Sequence, residues 1–381
     1  MLSWLRGAAV ILVLSLIGIG AGEVGARLDD RIFLGVPLTA NPTFDGLFHS
    51  LDDGIRRGVP GARYKKVTFN NLGMRGPDLP AAPAPGCERW LFLGASETFG
   101  EPGLDGGDYP SHLRTLLPSG RCIEIVNSAS PGLSLRTVTE QFDAYLGRIG
   151  ASTVFVYPPT QFYLAELVDR RAPSAASLAT PAGAHPAPGR DKGWRSGALM
   201  GSSRLFERLR DSAEIPAPIQ RLRTRRWIDS ALAAHPADWP FREVPRERLD
   251  AFDADITYLV ERIRASGATP VLITHAIRVK NPPRPEDQAD LFALRTYVPR
   301  APADVMAAFE YAAAQRLRDL SRRLGVRHVD AAGQLSGRRE LFIDAVHFSP
   351  DGNTAMAVLI RDAMLQPGAP PARLGAPDAL Q

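Results

Sequence analysis

The stretch that decides the fold is Trp90-Leu-Phe-Leu-Gly-Ala-Ser-Glu-Thr-Phe-Gly100. It begins with an apolar run that is short enough for a buried strand, and Gly94 then ends the run. A glycine permits a tight bend, so the hydroxyl of Ser96 would emerge at the carboxyl end of the strand, where open α/β sheets bind their ligands. The same residues also fit a serine that caps the next helix, and the stretch alone leaves both interpretations open.

A second stretch near the end of the chain, Phe342-Ile-Asp-Ala-Val-His-Phe-Ser-Pro-Asp-Gly-Asn353, supplies partners for such a serine. Serine becomes a nucleophile when a base takes its proton, and a histidine base needs an acid that fixes its orientation. One turn of chain would bring Asp344 and His347 together. The alternative is that Asp344 caps a turn and His347 lies on the surface, but their pairing with Ser96 favours a catalytic triad.

Between these stretches, apolar runs alternate with segments of helical period. Strands are predicted at Trp90–Leu93, Ile123–Asn127, Thr153–Tyr157, Pro270–Thr274 and Arg327–Val329. Helices are predicted at Tyr109–Leu117, Leu135–Ile149, Ala251–Ala265, Pro302–Leu324 and Thr354–Met364. This alternation predicts a parallel sheet of five strands with right-handed crossovers and helices on both faces.

The N-terminus carries one long apolar segment, Gly7–Gly22, which is interrupted only by Ser15. Its length is near the lower limit for a helix that spans a membrane and also suits a signal peptide. Because Arg6 precedes the segment, the N-terminus is expected in the cytoplasm and the rest of the chain outside it, in the periplasm or beyond. Residues 1–26 are therefore interpreted as an uncleaved transmembrane anchor, with a signal sequence cleaved after Ala26 as the alternative.

The remaining chain divides by composition. Residues 27–86, rich in Gly, Pro and Asp, are interpreted as an extracytoplasmic linker that wraps the edge of the domain. Residues 87–365 form the α/β domain, interrupted by an insertion rich in Arg, Pro and Ala at about 166–248. Residues 366–381 are expected to be a disordered tail.

The insertion contains a cluster of arginines between Ser203 and Arg226, namely Arg204, Arg208, Arg210, Arg221, Arg223, Arg225 and Arg226. A solvated helical face is the favoured interpretation, and contact with anionic lipid headgroups or an acidic glycan is the alternative. The net charge of the chain is only +4, and nucleic acid is not an expected partner of an extracytoplasmic domain.

Two cysteines, Cys87 and Cys122, exclude a cysteine-rich metal cage but permit one disulfide. Both precede predicted strands, so their sulfur atoms would lie at the same end of the sheet if the two strands are neighbours. A disulfide there suits a compartment outside the cytoplasm. Two buried free thiols are the alternative, and the sequence leaves the choice open.

The chain resembles the SGNH (GDSL-like) hydrolases, in particular their membrane-anchored bacterial members, in the order of four sequence blocks. Gly94-Ala95-Ser96 corresponds to the nucleophile block, although Ala95 replaces the usual acid. Val126-Asn-Ser-Ala-Ser-Pro-Gly132 corresponds to the block whose glycine N–H serves the oxyanion hole. The family's asparagine in block three is absent here, and Gln161 is nearest to its place. Asp344 and His347 correspond to the fourth block.

The resemblance implies a three-layer α/β fold of flavodoxin-like strand order and acyl transfer through an acyl-enzyme, without a cofactor or a metal. Ser96 would attack an ester carbonyl, His347 would take the proton, and Asp344 would orient His347. The backbone N–H groups of Ser96 and Gly132, helped by the amide of Gln161, would form the oxyanion hole. His275, at the end of a predicted strand, is a weaker candidate base because no acid lies near it in sequence.

The acceptor of the acyl group decides the class of protein. Water gives an esterase that acts on acyl esters, in the first place acetyl esters, of a cell-surface or extracellular glycan. A sugar hydroxyl gives an O-acyltransferase to a polysaccharide, and a catalytically silent binding or assembly protein of the same fold is a further alternative. The expected partners are an ester or acylated-glycan substrate and a membrane, which is reached through the N-terminal helix.

Overall fold

The N-terminal residues form one long helix, α1 (Leu2–Phe33), in the computed structural model, which describes residues 2–50, 55–100, 107–165, 203–212 and 216–365. The portion Arg6–Phe33 is long and apolar enough to cross a membrane, with a mean hydropathy of 2.1 in its most apolar window, although a signal sequence meets the same criteria. The helix continues to Phe33, beyond residues 1–26, which the sequence analysis interprets as the anchor. Polar contacts support this extra length, since Arg27 pairs with Glu23 at 2.6 Å, four residues earlier.

Short antiparallel strand pairs follow α1 and lie against the edge of the main sheet. β1 (Phe48–Ser50) pairs with β2 (Arg56–Gly58), and β3 (Arg63–Tyr64) pairs with β4 (Val67–Thr68). The segment then joins the α/β domain, because the backbones of Arg75 and Asn127 exchange hydrogen bonds of 3.0 and 3.2 Å.

Five parallel strands form the central sheet, in the order β6-β5-β7-β8-β9. Their bounds are β5 (Glu88–Gly94), β6 (Ile123–Asn127), β7 (Thr153–Tyr157), β8 (Thr269–Ile273) and β9 (Arg327–Val329). Counted along the chain, this is the order 2-1-3-4-5, which confirms the predicted flavodoxin-like fold. β5 begins before the predicted Trp90, because the buried side chain of Arg89 is paired with Glu124 at 2.7 Å and so tolerates a position inside the sheet.

Helices cover both faces of this sheet and bury alternate strand residues. Leu91 and Leu93 of β5 face the layer formed by α4 (Leu135–Ala144), α7 (Arg246–Ala265) and α9 (Ala303–Leu324). Trp90 and Phe92 face the opposite layer, formed by α3 (Tyr109–Leu116), α10 (Ala331–Leu335) and α11 (Pro350–Leu365). Two further helices are α2 (Ser96–Phe99), at the end of β5, and α8 (Gln288–Leu294), before α9.

Part of the predicted insertion is helical and packs on the rest of the protein. It contains α5 (Arg204–Ser212) and α6 (Ala217–Ala233), and α7 starts at Arg246, earlier than predicted. The expectation that the arginines form a solvated face is wrong for Arg204, which is buried and pairs with Asp30 of α1. Two other parts of the insertion, residues 166–202 and 213–215, and the predicted tail, residues 366–381, lie outside the described residues.

The two cysteines form a disulfide that joins the starts of β5 and β6. The Cα atoms of Cys87 and Cys122 are 4.6 Å apart. The two strands are parallel neighbours, so the sulfur atoms meet at one end of the sheet. Of the two alternatives that the sequence leaves open, the structure therefore contains the disulfide and not two free thiols.

Candidate active site

Ser96 lies where strand β5 turns into helix α2, at the carboxyl edge of the sheet. Gly94 makes this turn possible, because a Cβ atom there would lie 2.2 Å from Oγ1 of Thr98 and 3.1 Å from the carbonyl oxygen of Tyr157. Ala95 and Glu97 are buried on either side, whereas Ser96 itself is half-buried. The hydroxyl of Ser96 therefore faces the part of the sheet edge that a ligand can reach.

Asp344 and His347 are paired in the loop that precedes α11. Nδ1 of His347 and Oδ2 of Asp344 are 2.7 Å apart, and Oδ1 of Asp344 accepts the backbone N–H groups of Val346 and His347 at 2.9 and 2.8 Å. Burial alone would raise the pKa of Asp344, but these bonds and the charge of His347 outweigh it and lower that pKa. The lowered pKa favours the ionised carboxylate, which holds the imidazole of His347 through Nδ1.

The loop that carries this pair reaches the same sheet edge as Ser96. The ring of Phe348, the residue after His347, packs against the rings of Tyr157 and Tyr109 with centroid distances of 6.2 and 6.3 Å. Tyr157 is in register with Gly94, and the charge of His347 contributes to lowering the pKa of Glu97, the residue after Ser96. The triad of Ser96, His347 and Asp344 stays a prediction, and this placement is compatible with it.

Gly132 lies in the loop between β6 and α4, in a left-handed conformation with φ of +79° that glycine adopts without strain. The loop is tied to the turn before the serine, because the N–H of Ser130 donates to the carbonyl of Gly94 at 3.4 Å. The second block thus lies at the same edge as the first. The oxyanion role of the N–H groups of Ser96 and Gly132 stays a prediction.

Gln161 follows β7 in a 3-10 turn, Thr160–Leu164, and its side chain is directed at a residue that the sequence did not single out. Its Nε2 donates to Oε1 of Glu97 at 2.7 Å. The opposite amide orientation would place two oxygen atoms together, so the hydrogen bond fixes the assignment. An amide nitrogen has two N–H donors, and only one is used in this contact. Donation of the second N–H of Gln161 to an oxyanion stays a prediction.

Glu97 is the most unusual residue of the site, because its carboxylate is buried next to the serine. Only 2% of the residue is exposed. While Oε1 is held by Gln161, Oε2 accepts a long hydrogen bond of 3.4 Å from Oγ of Ser96. Burial alone would raise the pKa of Glu97, but His275, whose Nε2 lies 3.6 Å from Oε1, and to a smaller extent the charge of His347 lower that pKa to about 2. A fixed negative charge therefore lies beside the candidate nucleophile.

His275, the second candidate base, is fully enclosed behind Glu97. Its Nδ1 lies 2.9 Å from Oε2 of Glu310, and its Nε2 lies 3.6 Å from Oε1 of Glu97, beyond hydrogen-bond distance but within ion-pair range. Glu310 also accepts the hydroxyl of Thr160. Burial alone would lower the pKa of His275, but Glu310 and Glu97 outweigh it and raise that pKa to about 10. The raised pKa favours the imidazolium form of His275, whose side chain is not exposed to solvent.

The sequence prediction missed the acids around His275 because they are remote along the chain. Glu310 lies 35 residues away on α9, and Glu97 comes from α2. One local signal was present, since Glu310 occupies the buried face of α9 next to Phe309 and Ala313, where an apolar residue is expected. Among the described residues, no group of three or more His, Cys, Asp or Glu side chains is placed to hold a metal ion.

A small apolar pocket lies beside this charged set and is partly open to solvent. Gln161 and Glu310 form its polar wall, and Ala345, next to Asp344, lines it as well. The rest of the lining is apolar and includes Leu164, Ile277, Val279, Leu291, Leu294, Val298 and Met306. The site therefore combines acidic and basic side chains with an adjoining apolar surface.

Comparison with known proteins finds similar structures but no close relative. No family model and no curated protein matches the chain. A lipase/acylhydrolase from Enterococcus faecalis is 11% identical, with a TM-score of 0.40 over 73% of this chain and 95% of that one. An acetylxylan esterase from Geobacillus stearothermophilus is 15% identical, with a TM-score of 0.38 over 74% and 94%. A GDSL-like lipase from Bacteroides thetaiotaomicron is 12% identical, with a TM-score of 0.39 over 74% and 90%.

The chain has a three-layer α/β fold of flavodoxin-like strand order, with a five-stranded parallel sheet and a helical layer on each face. The identities and TM-scores of the similar structures are low, so the roles of individual residues rest on the contacts within this site.

Proposed function

We propose that this protein is a serine ester hydrolase of the SGNH type with Ser96, His347 and Asp344 as its catalytic triad. The observation that supports this most is the 2.7 Å pair of His347 and Asp344, in a loop packed at the sheet edge where Ser96 lies. The pair has the arrangement that base catalysis requires, because Asp344 binds Nδ1 and the proposed proton transfer uses the other ring nitrogen, Nε2.

In the proposed reaction, Oγ of Ser96 attacks the ester carbonyl while Nε2 of His347 takes the hydroxyl proton. The tetrahedral intermediate places its negative oxygen near the N–H groups of Ser96 and Gly132, and each such donor typically contributes about 3 kcal/mol. The intermediate collapses to an acyl-serine, and His347 gives its proton to the departing alcohol. Water then attacks the acyl-serine, His347 accepts its proton, and the carboxylic acid leaves with Ser96 restored.

The proposed substrate is an acyl ester, in the first place an acetyl ester, of a glycan at the cell surface or outside the cell. We also propose that α1 is an uncleaved membrane anchor and that the catalytic domain lies outside the cytoplasm. The disulfide between Cys87 and Cys122 supports that location, since disulfides persist in oxidising compartments. The apolar pocket next to Ala345 supports an ester whose acyl group is removed from water.

Labelling with a fluorophosphonate probe tests the proposal, together with the rate of p-nitrophenyl acetate hydrolysis. We expect the wild-type protein to be labelled and active, and Ser96→Ala to lose both properties. Ser266→Ala, at the end of α7, is the matched control and should keep both. Labelling of Ser96→Ala at the wild-type level would refute Ser96 as the nucleophile. Transfer of the acetyl group to an added oligosaccharide, in place of hydrolysis, would identify the acceptor as a sugar hydroxyl.

A second candidate is a catalytically silent binding or assembly protein, and the carboxylate of Glu97 favours it. A negative charge 3.4 Å from Oγ of Ser96 opposes the negative charge that develops on the substrate oxygen during attack. An acetylated oligosaccharide that binds to the wild type and to Ser96→Ala with equal affinity, without hydrolysis or labelling in either, would establish this candidate instead.

A further inference from the structure

The residues Glu97, His275 and Glu310, with Gln161 and Thr160, form one continuous polar chain under the candidate nucleophile, called here the buried charge chain. It runs from Ser96 through Glu97 to His275 and ends at Glu310 on α9. Gln161 holds the first carboxylate and Thr160 the second. Elements that are far apart in sequence therefore fix the position of the residue next to Ser96.

We propose that Glu97 is a positioning residue, which is held on one oxygen by Gln161 and His275, presents its other oxygen to the Ser96 hydroxyl and places a fixed negative charge beside His347. The inference rests on the proposed function, because it assigns Glu97 a role towards the Ser96–His347 pair. Glu97 does not transfer a proton in this scheme, and acts through the two residues that do.

The buried charge chain contains two acidic side chains and one imidazole, and this argues against a role in stability alone. Glu97 and Glu310 flank His275 at 3.6 and 2.9 Å in an enclosed region. Apolar side chains of similar volume would usually stabilise the fold as well as such a buried ionic group, or better.

The negative charge of Glu97 is expected to stabilise the protonated form of His347. When Ser96 attacks, His347 becomes an imidazolium, and a nearby negative charge stabilises that form. Glu97 lies on α2 at the sheet edge against which the His347 loop packs through Phe348 and Tyr157, and Asp344 contacts His347 from its own loop. Further charged groups of the described chain lie behind these two: His275 and Glu310 behind Glu97, and Arg278 and Asp290 behind the Asp344 loop.

The direct test is a titration of the His347 imidazole by NMR in the full-length protein in detergent micelles. Histidine labelled with carbon-13 in the ring gives one signal per residue, and the spectrum of His347→Gln assigns the signal of His347. We expect Glu97→Gln, which keeps the shape and removes the charge, to lower the titration midpoint of His347 by about half a pH unit or more. Glu340→Gln removes an exposed carboxylate near the same loop, and we expect it to leave the midpoint unchanged.

A folded Glu97→Gln protein with the wild-type midpoint would overturn the proposal. If Glu97→Gln does not fold, Asp344→Asn decides, because Asp344 is exposed and its replacement is tolerated more readily. With the charge of Glu97 still present, the midpoint of His347 in Asp344→Asn should stay above the ordinary value of about 6.5. A midpoint at or below that value would reject the role of Glu97.

The titration needs no turnover, so its outcome is separable from that of the esterase proposal. A midpoint shift in a protein that never hydrolyses an ester would support Glu97 as a positioning residue and refute the esterase. Hydrolysis that depends on Ser96, without any midpoint shift in Glu97→Gln, would support the esterase and leave Glu97 with a structural role only.

Discussion

The side-chain amide of Gln161 donates a 2.7 Å hydrogen bond to the carboxylate of Glu97, the residue that follows the candidate nucleophile Ser96. Gln161 is the residue nearest to the family's third block, where the side chain is expected to donate to the oxyanion. In this structure its amide donates to Glu97 instead. Its side chain holds a second residue, and that residue faces the serine hydroxyl at 3.4 Å.

This contact predicts a moderate effect of Gln161→Ala. The loss of a hydrogen bond to a charged group should lower the free energy of unfolding by about 1.5–3 kcal/mol. The value of kcat on p-nitrophenyl acetate should fall by about tenfold or less, because the main donors of the oxyanion hole remain. Denaturant unfolding and steady-state kinetics measure both effects, with the exposed Gln315→Ala as the control. A fall in kcat of about 100-fold or more at constant KM would show that the second N–H of Gln161 serves the oxyanion.

The buried imidazolium of His275 predicts a dependence of stability on pH. Its folded pKa of about 10 lies above the ordinary 6.5, so its contribution is complete below about pH 6.5 and is lost as the pH rises through 10. Glu97 acts at the other end, since its pKa falls from 4.5 to about 2 and its contribution is lost as the pH falls through that range. The buried charge chain is therefore most stabilising between about pH 4.5 and 6.5.

The measurement is the free energy of unfolding at pH 6 and at pH 9.5. We expect the wild type to lose more stability between these values than His275→Gln does, because the variant has no proton to release at that position. His112→Gln, on α3, should behave like the wild type. Equal losses in the wild type and in His275→Gln would show that His275 is not an imidazolium in the folded protein.

Most strands of the sheet could be predicted from the sequence, because parallel strands that are buried on both faces have continuous apolar sequences. Thr153–Tyr157 is such a run and lies where the sequence predicts it. Ile123–Asn127 and Arg327–Val329, which contain polar residues, also lie at their predicted positions. The pair of Asp344 and His347 could also be predicted, since three residues of separation allow contact within a single turn.

The buried charge chain could not be predicted, because the meeting of its members depends on the order of the strands. His275 follows β8, and the acids beside it come from α2 and α9, on either side of that strand in the sequence. The docking of α5 was missed for the same reason, since Arg204 and its partner Asp30 are 174 residues apart. Local patterns reveal buried faces, whereas ion pairs between distant elements follow from the assembled fold.

The disulfide predicts a measurable loss of stability on its removal. Cys87 and Cys122 are 35 residues apart, and a covalent loop of that size typically stabilises a fold by about 3–4 kcal/mol through the unfolded chain. The double variant Cys87→Ala, Cys122→Ala should therefore unfold at a lower denaturant concentration than the oxidised protein. Thiol counting on the unreduced, denatured wild type should find no free thiol. Two reactive thiols in that sample would contradict the disulfide.

The contact between α1 and α5 predicts which residue holds the N-terminal end of α5 in place. The carboxylate of Glu23 accepts hydrogen bonds from the hydroxyl of Ser203 at 2.9 Å and from the N–H groups of Arg204 and Leu205 at 3.0 and 2.9 Å. It thus caps α5 from another helix, and loss of a cap typically costs about 1 kcal/mol, or roughly fivefold in a local opening equilibrium. Amide hydrogen exchange in Arg204–Ser212 should accelerate by that factor in Glu23→Ala, while exchange in α6 stays unchanged. Glu286→Ala, far away on an exposed turn, provides the control, and equal exchange of α5 in both variants would show that Glu23 does not hold it.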